Sequence, residues 1–223
     1  SGEKAFVMDG VGANGFVVLA ASGEGAPGLW LVPADAQGVS IKPMSMIDSR
    51  NMAHVQFDKV ELSADMALVA RPAAQVLDEV LDRARACLAA ESLGLLREVF
   101  DRTVTYLKER VQFDVQIGSF QALQHRAARL CVELELLESC VLAAFEAIDS
   151  GLEAKVPELV SAAKAKSSDL CEKLCNEAIQ LHGGIGVTDE LDIGLFFKRA
   201  RVLQRLLGDG GYHRNRFAQL KGF

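Results

Sequence analysis

Few side chains in this sequence sit at spacings that make chemistry on their own. Cys171 and Cys175 lie four apart, the separation of two zinc ligands on one helical turn. No histidine or second cysteine pair accompanies them, so small residues packed on a helix face are the simpler account, and no metal is expected. His54, His125, His182 and His213 are scattered, and no Ser/His/Asp order or metal constellation emerges. There is no phosphate loop, and the cluster GEGAPG at 23–28, although it spells G-x-G-x-x-G, reads as a hairpin turn. Two glycine-rich stretches remain. Gly183 and Gly184, within QLHGGIG, have no Cβ and let the backbone approach a ligand closely. Gly208, Gly210 and Gly211 surround Asp209. This carboxylate reads either as the N-cap of a last helix, in GDGG before YHRNRFAQL, or as a titratable group in a pliable loop.

The elements that must carry these residues follow from composition and period. The chain has 223 residues, half of them hydrophobic, enough for one large domain or two modest ones. A net charge of −6 removes the basic footprint of a nucleic-acid binder and makes a polybasic membrane patch unexpected. No apolar run reaches membrane-spanning length, and no signal peptide opens the chain. The cysteines Cys87, Cys131, Cys140, Cys171 and Cys175 are odd in number and irregularly spaced, which points to a reducing cytoplasm rather than a disulfide framework. SGEKAFVMDG reads as the middle of a sheet with no start methionine before it, as expected of a piece of a longer polypeptide.

Residues 1–70 carry short apolar runs separated by turn residues: AFVMDG, GFVVLAAS, GLWLVPA and HVQFDKVEL. They predict a small antiparallel β domain. HVQFDKV alternates only roughly, so this strand is expected to be buried on part of both faces. From Pro72 the period changes. Leu77, Val80, Leu81, Ala84 and Leu88 recur at three and four, as do Leu123, Ala127, Leu130, Leu134, Leu137, Val141 and Ala144. Pro157 opens a third helix running to about Leu181, which Gly183 and Gly184 stop. A fourth runs from about Ile193 to Leu207, and a short one follows GDGG. The fold class is therefore α+β, with an antiparallel four-helix bundle over 71–223.

Several stretches together resemble the acyl-CoA dehydrogenase family. SGEKAFVMDG followed by GFVVLA resembles its middle β domain, and VQFDKVELSADMALVA its F-D-x-V-x-V-P exit strand, with Ser63 in place of the usual proline. LAAESLGLLREVFDRTVTYLKERVQFDVQIGSFQALQHRAARL resembles the A-x-x-x-G, R-x-x-F-G, I-x-x-F-Q and Q-H pattern of its C-terminal bundle. QLHGGIGVTDE resembles its Q-x-x-G-G-x-G motif. The match covers essentially the whole chain, in the right order and spacing. It implies three domains, of which this chain has the last and part of the middle one.

The resemblance also implies an activity. Such enzymes remove hydrogens from Cα and Cβ of an acyl-CoA thioester; a carboxylate takes the Cα proton and FAD takes the Cβ hydride, with electron-transfer flavoprotein or a similar acceptor downstream. FAD lies across a subunit interface of a tetramer, which is homo- or hetero-oligomeric. The matching cofactor residues are Arg110, Gln112 and Phe113, then Gln121, then Gln180, Leu181, His182, Gly183 and Gly184. An arginine such as Arg110 can pair with a diphosphate.

The family's catalytic glutamate falls on Leu207 when KRARV, Gln204, Arg214, Asn215 and Ala218 are aligned on its closing motif. Some members carry the base on the first bundle helix, one residue before an arginine; here that arginine is Arg85, and Ala84 precedes it. A leucine cannot accept a proton, so three readings stand open. The chain is the base-deficient subunit of a heteromeric enzyme, an arrangement resembling pimeloyl-CoA dehydrogenase and actinobacterial steroid side-chain enzymes. Or Asp209 is the base after a shift of its loop, in an acyl-CoA dehydrogenase or a nitroalkane oxidase-like enzyme, with its pKa raised by desolvation. Or the protein is a non-catalytic assembly module.

Overall fold

A computed structural model describes residues 1–21, 27–68 and 71–223. The glycine cluster at 23–28 thus lies, but for its last two residues, outside the described residues. The chain divides into two compact units, Ser1–Val80 and Leu81–Phe223. The division falls inside the first long helix rather than at the change of hydrophobic period near residue 70.

The first unit holds two three-stranded antiparallel sheets. Strands β1 (Gly2–Met8), β5 (Met52–Phe57) and β4 (Val39–Met44) form one, in the order β1-β5-β4. Strands β2 (Gly15–Ala20), β3 (Gly28–Pro33) and β6 (Ala67–Leu68) form the other, in the order β2-β3-β6. Phe16, Val18 and Val32 from the second sheet meet Ala53 and Val55 of β5 in a shared core. Met52 and Ala53 are consecutive and both buried, so β5 is covered on two faces at that point, whereas within HVQFDKV only Val55 is buried. Strand β4 was not among the expected runs, because Lys42 and Pro43 interrupt its pattern. It sits at a sheet edge, where a proline without an N–H costs no ladder hydrogen bond.

The second unit is the helical bundle. Its helices are α1 (Ala73–Glu109) from Leu81 onward, α2 (Gln121–Asp149), α3 (Val156–His182), α4 (Ile193–Arg205) and α5 (Gly210–Leu220). Helix α3 touches α2, α4 and α5 and is the centre of the unit. The α2 stripe Leu130, Leu134, Leu137, Val141 and Ala144 is buried, together with Leu96 and Val99 of α1, Val160, Leu170 and Leu174 of α3, and Leu203 of α4. Cys171 and Cys175 lie in this core, and burial pushes their thiols up to about 11 and about 12. Helix α3 ends at Gly183, whose φ of 65° favours glycine. Among the described residues, no helix is long and apolar enough to cross a membrane.

Two details depart from expectation. Between α1 and α2 a small hairpin stands up, β7 (Val111–Gln112) and β8 (Val115–Gln116), turned by Phe113 and Asp114 in left-handed conformation. Helix α4 stops at Arg205 rather than Leu207. Leu207 and Gly208 have φ of 55° and 108°, which no right-handed helix accommodates.

Leu137 is fully buried between helices. Leu137→Ala is expected to lower the unfolding free energy by about 2–5 kcal/mol. Glu135→Ala, on the exposed face of the same helix, should cost less than about 0.5 kcal/mol. Urea unfolding of both variants checks this.

Candidate functional site

One cluster of sequence-selected residues gathers at the far end of α1. Arg110 follows the last residue of that helix; its amide donates to Tyr106 O (2.8 Å) and its carbonyl accepts from Ile117 N (2.9 Å), so the β7–β8 hairpin is pinned beside it. Its side chain is exposed and makes no ion pair among the described residues. Gln112 lies on β7, and Phe113 at the hairpin tip is 85% exposed. The Phe113 ring packs edge-on against Phe120 (centroids 6.2 Å), the residue before Gln121, which opens α2 and is exposed. The end of α3 joins the cluster because the Tyr106 ring lies 4.5 Å from that of His182.

Within the 180–184 run, roles divide by burial. Leu181 and His182 turn into the bundle, and His182 Nδ1–H donates to Ala178 O (2.7 Å), so their side chains have little surface to offer a cofactor. Gln180, Gly183 and Gly184 face outward, and a Cβ on either glycine would meet nothing within 4 Å. An uncommitted guanidinium, an exposed aromatic and open glycine backbone are a donor set that fits a dinucleotide's diphosphate and ring systems.

The second cluster surrounds Leu207 and is buried. Asp82 and Arg85, three apart on α1, pair at 2.9 Å. Arg216 of α5 grips both oxygens of the same carboxylate (2.7 and 2.8 Å) and also donates to Ser161 Oγ (3.0 Å). The Arg85 Nε–H donates to Leu207 O (3.2 Å), and His213 Nε2–H donates to the same carbonyl (3.0 Å). Lys164, fully buried on α3, donates to Leu203 O (2.9 Å), Gly208 O (3.0 Å) and Ser168 Oγ (3.1 Å). Donors from α1, α3 and α5 therefore hold the 207–208 turn by its carbonyls, whatever side chain residue 207 carries. The Leu207 side chain packs on the bundle core.

Asp209 stands at the edge of this cluster. It caps α5, accepting from Tyr212 N (2.9 Å), and its other oxygen pairs with Arg205 (3.0 Å). The cap hydrogen bond, aided by Arg205, holds its carboxyl below the usual range. This is opposite to the desolvation expected of a shifted base. Burial pushes Lys164 down to about 8, and His213 down to about 4.

Asp82, Lys164, Tyr212, His213 and Arg216 were not selected from the sequence. One signal was there: Lys164 shares a face with Val160, Ala163 and Cys171, where a lysine must enter the core and find acceptors. The others are brought in by tertiary packing alone.

Twin small sheets followed by a bundle centred on α3 define the class of fold as a β domain with a C-terminal helical domain. Residues 74–220 match the family model described as acyl-CoA dehydrogenase, C-terminal domain. Among curated relatives, acyl-CoA dehydrogenase IpdE2 of Mycolicibacterium smegmatis is 42% identical over 57% of this chain and 39% of its own length. IpdE2 of Mycobacterium tuberculosis is 36% identical over 75% of this chain and 48% of its own length. A solved variant of the Tcur3481-Tcur3483 steroid ACAD is 31% identical, covers all of this chain and 59% of that one, and superposes with a TM-score of 0.87. The chain belongs to the acyl-CoA dehydrogenase family. It spans about half or less of the length of the IpdE2 proteins it matches.

The buried histidine gives a pH signature. His213 is held at about 4 against an ordinary 6.5, so as pH falls the unfolded chain takes up this proton first. The stability it contributes is present above about 6.5 and is lost as pH falls from there to about 4. The loss should be roughly 3 kcal/mol. Urea unfolding at pH 7, 5.5 and 4 should show this extra slope in the wild type and not in His213→Gln.

Proposed function

We propose that this chain is the base-deficient subunit of a heteromeric FAD-dependent acyl-CoA dehydrogenase, which introduces an α,β double bond into an acyl-CoA thioester. One observation carries the reading. The turn on which the family's base falls is held by Arg85, His213 and Lys164, yet the side chain at 207 is hydrocarbon. The Cα proton then goes to a carboxylate of the partner subunit. FAD, when bound, supplies the hydride acceptor. The α1-end cluster would hold it: Arg110 at the diphosphate, Gly183 and Gly184 admitting its close approach, Phe113, Gln112, Gln121 and Gln180 around them.

The spacing of the two clusters supports an assembly. Arg85 and Arg110 are both on or at the end of α1, about 37 Å apart along the axis at 1.5 Å per residue. One dinucleotide cannot touch both, so a flavin held at the Arg110 end is offered to another subunit. Homo- or hetero-tetramers satisfy this geometry, with electron-transfer flavoprotein or a similar acceptor taking the electrons. The similarity to a steroid ACAD suggests steroid-derived acyl groups as the substrate class. The cytoplasm is the compartment in which its scattered thiols stay reduced.

The full polypeptide should be purified alone, its flavin spectrum recorded, and acyl-CoAs added without oxygen. The expected result is no bound flavin, or flavin that stays oxidised until a second subunit is supplied. Bleaching of the chain on its own, with a loss of roughly 10²–10⁴-fold on Asp209→Asn, assigns the base to Asp209 and overturns the proposal.

A further inference from the structure

The charges around Leu207 do not balance. Three cations share the cluster, Arg85 and Lys164 buried and Arg216 partly exposed, and among the described residues Asp82 is the only buried carboxylate in it. Asp82 is spent twice, on Arg85 and on Arg216. Asp209 is partly exposed and turned to Arg205 and the α5 amides. Lys164 meets three acceptors for its three N–H bonds, which suits the ammonium form, so its charge stays in place. Buried charge in excess of its counter-charge is costly, and such a site gains by taking up an anion.

The donor edge left for that anion can be named. The Arg85 Nε is engaged by Leu207 O and NH1 by Asp82, but among the described residues NH2 reaches only the Tyr212 hydroxyl, at a long 3.5 Å. The Tyr212 ring lies against Gly208, where a Cβ would come within 2.5 Å of Cδ1, and Arg85 lies 5.7 Å from the ring centroid. Tyr212 is 49% exposed. Its oxygen can accept from Arg85, and its own proton then remains for a group arriving from solvent.

We propose that the Arg85 NH2–Tyr212 OH corner is a binding site for a carboxylate group, which supplies the counter-charge that a residue with an acidic side chain at 207 would otherwise bring. The phenol donates to one carboxylate oxygen while the guanidinium stands behind it. The site does not depend on flavin and stands whether or not the chain is a partner subunit. A carboxylate carried by the acyl-CoA substrate and a free one share this chemistry.

The probe is acetate. Thermal unfolding of the full chain is followed in sodium acetate and in sodium chloride at equal ionic strength, near neutral pH, alongside line broadening of carboxylate-labelled [¹³C]acetate. The expected result is a higher Tm in acetate than in chloride, with broadening that saturates. Tyr212→Phe should lose most of both effects. Leu207→Glu, which brings a carboxylate on the residue whose carbonyl already touches Arg85, should lose the acetate response; Leu207→Gln, its uncharged counterpart, should keep it. An acyl-CoA bearing a free terminal carboxylate that competes with acetate, where its methyl-terminated counterpart does not, points to the substrate as the source; no competition points to a free anion. Acetate indistinguishable from chloride overturns the proposal, and so does a response undiminished in Tyr212→Phe or in Leu207→Glu.

Discussion

The turn after α4 depends on a lysine with no access to water. Lys164 Nζ ties Leu203 O, in the last turn of α4, to Gly208 O just beyond it, and so fixes how the chain leaves the helix. A buried ammonium is affordable only where every N–H finds an acceptor. The C-terminal carbonyls of a helix are well suited, because they are unpaired within the helix and lie at its negative end. The same contact therefore stabilises both partners: the helix end acquires a cation and the cation acquires acceptors. Ser168, one turn along α3, extends the arrangement by donating to Gln204 O (3.2 Å).

With that tie in place the backbone at Leu207 is forced into a conformation its side chain disfavours. A left-handed residue other than glycine costs roughly 1 kcal/mol. Two donors on its carbonyl, Arg85 Nε and His213 Nε2, offset this, and each is fixed by partners outside the turn. Arg85 is oriented by Asp82, which Arg216 of α5 holds in turn. The His213 tautomer is set by the carbonyl, which leaves buried Nδ1 with no hydrogen-bond partner among the described residues. Strain that persists because several elements over-determine it is characteristic of functional turns. Here α1, α3 and α5 all contribute to a turn whose own side chain is a leucine.

The parts of this design that were legible in the sequence are those with a period. The stripes of α2 and α3, the proline at the start of α3 and the glycines at its end are local signals, and the helices follow them. Strand β4 was hidden because Pro43 and Lys42 break alternation, and only pairing with β5 makes it a strand. The β7–β8 hairpin was hidden because Phe113 is a poor candidate for a left-handed turn position. In the candidate site, Arg110, Gly183 and Gly184 stood in a recognisable motif, while Tyr212, His213 and Arg216 acquire meaning only when α5 folds back on α3. Leu207 was located by the spacing of its flanks, but what holds it came from residues up to 122 positions away.

The same ties bear on whether Asp209 can take the place of the missing glutamate. To carry its carboxylate two positions back along the chain, the turn must break the bonds of Lys164 to Gly208 O and of Arg85 and His213 to Leu207 O. Each buried donor or acceptor left without a partner costs about 1–3 kcal/mol, and more where the donor is charged. The α5 cap and the Arg205 pair would be lost as well. The flanking glycines make the movement sterically possible, but steric freedom does not remove those costs, and the hydrogen bonds that Asp209 accepts favour its ionised, already committed form. A carboxylate at the proposed Arg85–Tyr212 corner would face none of these losses, because a phenol O–H and a guanidinium edge could receive it without displacing a bond the turn depends on.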